Sequence, residues 1–345
     1  MSNKKKQKIL IRCLTEPSKG FGHLSRCLVL SKSLQNFFEI EFLINKNLNA
    51  INKLRKKNIK FTIIPKKFNF RNEHKFIQNI LISNKIDLII FDMREYSDYL
   101  IKNLYSNVKS ISLDDAWSNK AYADLIFNVT NIPEYHKYEI KNLKSKLFLG
   151  TKYYIAEENF LKNQIRYSDI KSKKKYRVTI SLGGSDPSNF SFKVLKSLQN
   201  FKNISITVIF GSFFKPNLEL NNYLKKNKIC VVYDSPNIWK SFRTSDIVIS
   251  NGGNTLFELA IMHIPTITIA MHKHQIPYCN SFQSLGFGIY IGYWKNISLS
   301  KVQNSLNLLI NDVSLRRKMF SNSKKIIDGK GLSRVIRIIK NYLKN

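Results

Sequence analysis

His23 is the residue best placed to do chemistry. It lies in the run Lys19-Gly20-Phe21-Gly22-His23-Leu24-Ser25-Arg26-Cys27, directly behind the apolar stretch Ile9-Leu10-Ile11-Arg12-Cys13-Leu14. The pattern predicts a strand, a glycine turn and a helix whose first turn carries an imidazole. Gly20 and Gly22 let the backbone turn tightly and come close to a ligand, while the open N–H groups of a helix start attract an anion. The helix dipole at that end favours the neutral form of a histidine. A neutral histidine beside an anion-binding turn is a candidate general base. The plainer alternative is a histidine that packs or caps the helix start, since a G-x-G fragment after a strand is common.

Two further turns follow the same logic. Leu182-Gly183-Gly184-Ser185-Asp186-Pro187-Ser188-Asn189 joins a strand to a helix and offers two glycines, a hydroxyl and N–H groups to a phosphate. Ser250-Asn251-Gly252-Gly253-Asn254-Thr255-Leu256-Phe257-Glu258 does so again. Thr255 can donate to a phosphate oxygen, and Glu258 can accept from ribose hydroxyls. The alternative for Glu258 is a capping-box glutamate. His272-Lys273-His274-Gln275 ends another strand, but its H-x-H pair has no third ligand at metal-binding spacing, so no metal site is expected.

The elements that position these turns alternate. In the first half, strands are expected at Lys8–Leu14, Glu39–Ile44, Phe61–Ile64, Asp87–Phe91, Lys109–Leu113 and Leu125–Asn128. Helices are expected at Leu24–Asn36, Leu48–Lys57, Asn72–Asn84 and Tyr96–Asn107. A second alternating series runs from Arg177 to Leu285, and Leu332–Leu343 reads as a closing basic helix. The alternation predicts an α/β protein of two doubly wound Rossmann-type domains, 7–150 and 176–330, facing a central cleft. The polar, Lys-rich stretch 151–175 reads as their connection, and 331–345 as a separate terminal helix. In such sheets ligands bind beyond the carboxyl ends of the strands, where all three glycine turns fall.

Composition narrows the function. At 345 residues, with 43% hydrophobic and 23% charged residues, the chain has the balance of a two-domain globular protein. No apolar run reaches membrane-spanning length, and the basic start leads into too short an apolar core for a signal peptide, so a cytoplasmic protein is expected. Cys13, Cys27, Cys230 and Cys279 are scattered, without a C-x-x-C pair. The formal charge of +34 is spread along an Asn- and Ile-rich chain without any helix-turn-helix or aromatic RNA-binding signature, so no specific nucleic-acid partner is expected. The charge is compatible with peripheral attraction to anionic membrane lipid.

Together these segments resemble a known family. Arg12, Gly20-x-Gly22-His23-x-x-Arg26-Cys27, the Asp114-Asp115 pair with Asp124 and Asn128, and Leu149-Gly150-x-x-Tyr153 follow in order. Gly183-Gly184-Ser185-Asp186-Pro187 and Gly252-Gly253-x-Thr255-x-x-x-Glu258 complete the series. From Lys8 to Gly292 the chain is similar to the nucleotide-sugar hydrolases of the pseudaminic-acid pathway and to spore-coat polysaccharide synthesis proteins. These sit within the GT-B group that includes the peptidoglycan glycosyltransferase MurG. The resemblance implies a GT-B fold, no metal or cofactor, and a UDP-sugar substrate held by the C-terminal domain. It also implies that His23 activates water for attack on the anomeric carbon. Substrate contacts are implied at Gly20, Gly22, Arg26, Asp92, Gly183, Gly184, Ser185, Gly252, Gly253, Thr255, Glu258, His274 and Gln275. A glycosyltransferase would keep the same loops and His23. Two positions depart from the hydrolases: Asp92-Met93-Arg94 replaces Asp-x-Tyr, and His274-Gln275 replaces Asn-Gln. Both are expected near the sugar.

Overall fold

Apolar runs become strands wherever helices can cover both of their faces. The computed structural model describes residues 6–15, 22–69, 71–93, 97–104, 108–114, 119–183, 186, 189–211, 214 and 216–344. Gly20, Gly184, Ser185, Arg94 and Asp115 lie outside the described residues. The chain divides into two compact units. The first is Met1–Ala156 together with Lys330–Asn345, and the second is Glu157–Gly329.

The first unit contains strands β1 (Lys8–Cys13), β2 (Glu39–Ile44), β3 (Lys60–Ile63), β4 (Leu88–Asp92), β5 (Lys109–Asp114), β6 (Leu125–Asn128) and β7 (Lys146–Leu149). They form one parallel sheet in the order β3-β2-β1-β4-β5-β6-β7. Its helices include α1 (Gly22–Leu34), α2 (Leu48–Lys56), α3 (Glu73–Ser83) and α4 (Ser97–Lys102). Strand alternation sorts the core. Ile9, Ile11, Cys13, Leu88 and Ile90 pack with α1, α2 and the closing helix Gly331–Lys344. Leu10, Ile89 and Phe91 pack with α3 and α4 on the other face. Both faces are therefore buried, which is why these strands read as continuous apolar runs.

The second unit contains β8 (Tyr176–Ser181), β9 (Ile204–Phe210), β10 (Cys230–Tyr233), β11 (Ile247–Asn251), β12 (Thr266–Ala270) and β13 (Ile289–Tyr293), also parallel, in the order β10-β9-β8-β11-β12-β13. Helices α5 (Glu158–Lys162), α6 (Phe190–Ser197), α7 (Leu218–Lys226), α8 (Ile238–Arg243), α9 (Asn254–Met262), α10 (Ile276–Ser284), α11 (Leu299–Asn311) and α12 (Val313–Ile326) accompany it. Each sheet steps outward through three strands and then reverses, which is the dinucleotide-fold order. The crevice at the reversal lies between β1 and β4 in one unit and between β8 and β11 in the other.

The structure divides two expected segments differently. Residues 151–156 join the first unit and Glu157 begins the second, so 151–175 is not a free connection. The closing helix is not separate either: Leu332, Val335, Ile339 and Leu343 are built into the first unit's core. Its apolar residues recur at three- and four-residue spacing and need a face to cover.

Candidate active site

In the first unit β1 and β4 run side by side with Cys13 opposite Asp92, and the Leu14 N–H donates to the Asp92 carbonyl at 3.1 Å. Because Leu88 and Ile90 face α1, alternation turns the Asp92 side chain to the same face. Along α1, His23, Arg26 and Cys27 stand at i, i+3 and i+4, one stripe of a helix. The two periodicities meet at the Asp92 carboxylate. His23 Nδ1 lies 2.6 Å from Oδ1, Arg26 Nη2 donates to Oδ1 at 2.5 Å and Arg26 Nε to Oδ2 at 2.9 Å. The Cys27 thiol donates to Oδ2 at 3.2 Å.

Asp92 is 0% exposed, His23 4% and Arg26 6%. Burial alone would push the Asp92 carboxyl up, but Arg26 and then His23 outweigh it and hold the carboxyl well below its ordinary range. Burial, with Cys13 and Asp92 adding to it, pushes the Cys27 thiol well up, so it stays a donor. Asp92 and Arg26, which the sequence suggested as substrate contacts, are therefore engaged with each other beneath His23. Both Asp92 oxygens are occupied by the chain's own donors. A carboxylate on Nδ1 holds the ring in the tautomer that leaves Nε2 as the basic nitrogen. Gly22, expected at the same turn, opens α1 and is exposed. Other family-matched residues are structural: Arg12 is buried in an ion pair with Glu73, and Asn128 donates to Tyr135 O and Tyr138 Oη, both at 2.8 Å.

In the second unit the turns after β8 and β11 are laced together. Gly183 has φ +108°, and a Cβ there would stand 2.6 Å from Asn251 Nδ2. Asn251 donates to Leu182 O and accepts from the Gly253 N–H, both at 3.3 Å. A Cβ on Gly252 would strike Cys279 Sγ at 2.3 Å, so only glycine fits against α10. The buried Gln275 closes the third turn, its Oε1 accepting from Met271 N at 2.9 Å. Its carbonyl oxygen is thus engaged by backbone rather than open, while the neighbouring His274 ring stacks on His272 with centroids 5.4 Å apart.

The two helix starts differ. The first N–H groups of α6 are taken by Asp186, whose carboxylate accepts from Phe190 N at 2.9 Å and Ser191 N at 2.8 Å. The start of α9, behind Gly253, carries no side-chain cap, and Thr255 is its second residue. The uncapped start suits an anion, and the capped one is already neutralised. Glu258 lies beyond the third residue of α9, so it is no capping-box glutamate. Burial, and secondarily Glu157, push its carboxyl up to about 8. Asn251 and Asp186 were quoted in the sequence motifs without a role. The signal for Asp186 was an Asp four residues ahead of an apolar helix. Among the described residues no group of three or more His, Cys, Asp or Glu could hold a metal. No helix is long and apolar enough to cross a membrane, again among the described residues.

Residues 178–331 match the glycosyltransferase family 28 C-terminal domain. Along 98% of its length the chain superposes on all of MurG from Acinetobacter baumannii, with TM-score 0.73 at 12% identity. The fold is GT-B-like. This GT-B-like chain is 24% identical over 339 residues to the spore coat polysaccharide biosynthesis protein SpsG of Bacillus subtilis, spanning 93% of the chain and 94% of that relative. It is 26% identical over 283 residues to the UDP-2,4-diacetamido-2,4,6-trideoxy-beta-L-altropyranose hydrolase of Campylobacter jejuni, spanning 78% and 93%. An uncharacterized protein of Methanocaldococcus jannaschii is 30% identical over 269 residues, which are 74% of the chain, and the chain spans about half (54%) of that relative's length. The resemblance read from the motifs is present over most of this GT-B-like protein.

Proposed function

We propose that this protein hydrolyses a UDP-linked amino or deoxy sugar at its anomeric carbon, releasing UDP and the free sugar for nonulosonate-type surface glycan synthesis. The observation that carries the reading is the buried His23–Asp92 pair at the strand reversal of the first unit. His23 is the base: Nδ1–H donates to Asp92 and Nε2 takes a proton from water. The water oxygen bonds to the anomeric carbon as the carbon–oxygen bond to UDP breaks, and UDP leaves with the electron pair. Inversion follows from attack opposite the leaving group. Arg26 and Cys27 fix Asp92, which makes all three positioning residues. Gly253, Thr255 and the open start of α9 meet the diphosphate, and charge developing on the leaving oxygen is stabilised there. Gly183, His274 and Gln275 flank this substrate, and the resemblance extends the same contact role to Gly20, Gly184 and Ser185.

The match to a glycosyltransferase domain favours a second reading, in which a sugar or lipid hydroxyl replaces water. Incubation of the protein with a panel of UDP-sugars, with and without added acceptors, separates the two. UDP release without acceptor supports hydrolysis, and release only with acceptor supports transfer.

Glu258 reads the ribose. Accepting from both ribose hydroxyls at once favours its ionised form, whereas burial pushes its carboxyl up to about 8 in the free protein. UDP binding at pH 7 is therefore expected to release a proton, and affinity to rise with pH until about 8. Calorimetry in buffers of different ionisation enthalpy checks the release. Glu258→Ala is expected to weaken UDP by about 1.5–3 kcal/mol and to lose discrimination against the 2′-deoxy nucleotide.

A further inference from the structure

The run Lys171–Lys175, which the proposed reaction does not use, forms part of a basic hollow in the second unit. Segment 165–173 and the residues at the amino ends of β8 and β11 enclose a cavity of about 150 Å³. The glycine turns lie at the other ends of these strands, roughly 17 Å away at about 3.3 Å per residue. Five cations line the hollow, Lys171, Lys173, Arg177, Arg243 and Arg316, against two carboxylates, Asp169 and Asp246.

Both carboxylates are occupied. Asp246 accepts from Lys173 Nζ at 2.6 Å and Arg177 Nη2 at 2.9 Å. Asp169 accepts from the Arg166 N–H at 2.9 Å and meets Arg243 at 3.5 Å. Arg316, 2% exposed, has only neutral partners among the described residues: Ile310 O at 2.9 Å, Lys171 O at 3.0 Å, Tyr176 Oη at 3.3 Å and the Leu309 carbonyl. A buried guanidinium with no carboxylate opposite it is costly, and an anion in the hollow would offset that cost. The excess of three positive charges fits a dianion. The volume accommodates a tetrahedral oxyanion with bound water, a water occupying about 30 Å³.

We propose that this cavity binds a phosphate dianion, either free or as the terminal group of a small phosphate monoester. The site is independent of the nucleotide loops and does not rest on the hydrolase reading. Lys171 and Arg243 reach the anion from the rim, while Arg316 supplies charge from the floor.

Calorimetry on the full chain, in chloride-balanced buffer of constant ionic strength, tests it with inorganic phosphate and with glucose 6-phosphate. Saturable binding of one or both is expected: phosphate alone points to the free ion, and tighter monoester binding to a phosphorylated metabolite. Lys171→Ala/Arg243→Ala leaves the Arg316 carbonyl bonds and the Asp246 bridges in place. It should weaken binding at least about tenfold, as loss of charge-assisted contacts does. With the nucleotide turn filled by saturating UDP, phosphate binding should persist. No saturable heat with either probe, equal affinity in the double variant, or loss of binding when UDP is present would overturn the proposal.

Discussion

His23→Ala is expected to lower turnover by about 10²–10⁴-fold, the contribution of a positioned general base, while leaving UDP affinity nearly unchanged. His23 and the turns at Gly183 and Gly252–Gly253 belong to different units of the chain. Single-turnover kinetics with calorimetry on the same preparation checks both halves. Turnover near that of the parent would remove His23 from the base role. Lost turnover with equally lost UDP affinity would make His23 a phosphate contact instead.

Asp92→Asn is expected to act on catalysis and stability together. The amide cannot hold the imidazole as the carboxylate does, so kcat should fall steeply with little change in UDP affinity. Arg26, 6% exposed, loses its counter-charge, and removing one partner of a buried pair costs about 3–5 kcal/mol. The sign with pH follows from the folded carboxyl being held below its ordinary value. Its stabilisation is complete above the unfolded value of about 4 and is lost as pH falls through the lower folded value. The stability gap between parent and variant should therefore be full at neutral pH and close in strong acid. Denaturant unfolding across pH measures it. A gap that does not vary with pH would show that the carboxylate's charge is not what stabilises the site.

Much of this was legible because parallel strands covered on both faces are plain apolar runs. Glu39–Ile44 and Leu125–Asn128 have the bounds their sequences predict. Helices α11 and α12 were not read, because Lys, Arg and Asn dilute their apolar periodicity, and the short strands β7 and β13 were not read because four or five residues carry too little pattern. Neither was the return of the closing helix to the first unit legible, since its partners, such as Leu30 and Ile155, lie far away in the sequence. At the site, His23 was visible through its glycine turn, whereas the role of Asp92 was not. Its pairing with α1 spans 69 residues and depends on which face of β4 it occupies. The alternation of Leu88, Ile90 and Asp92 carried that information, but only once the face covered by α1 was known. Likewise, Asp186 carries no assigned role in the sequence motif. Only the structure shows that Asp186 is committed to the start of α6.

The most direct test of the central claim is turnover of a UDP-sugar in ¹⁸O-labelled water without any acceptor, with the products read by mass spectrometry. Attack of water activated by His23 on the anomeric carbon predicts label in the free sugar, none in UDP, and a released anomer inverted relative to the donor. Label in UDP would mean attack at phosphorus, and no UDP release until an acceptor is added would mean transfer; either result would contradict the account.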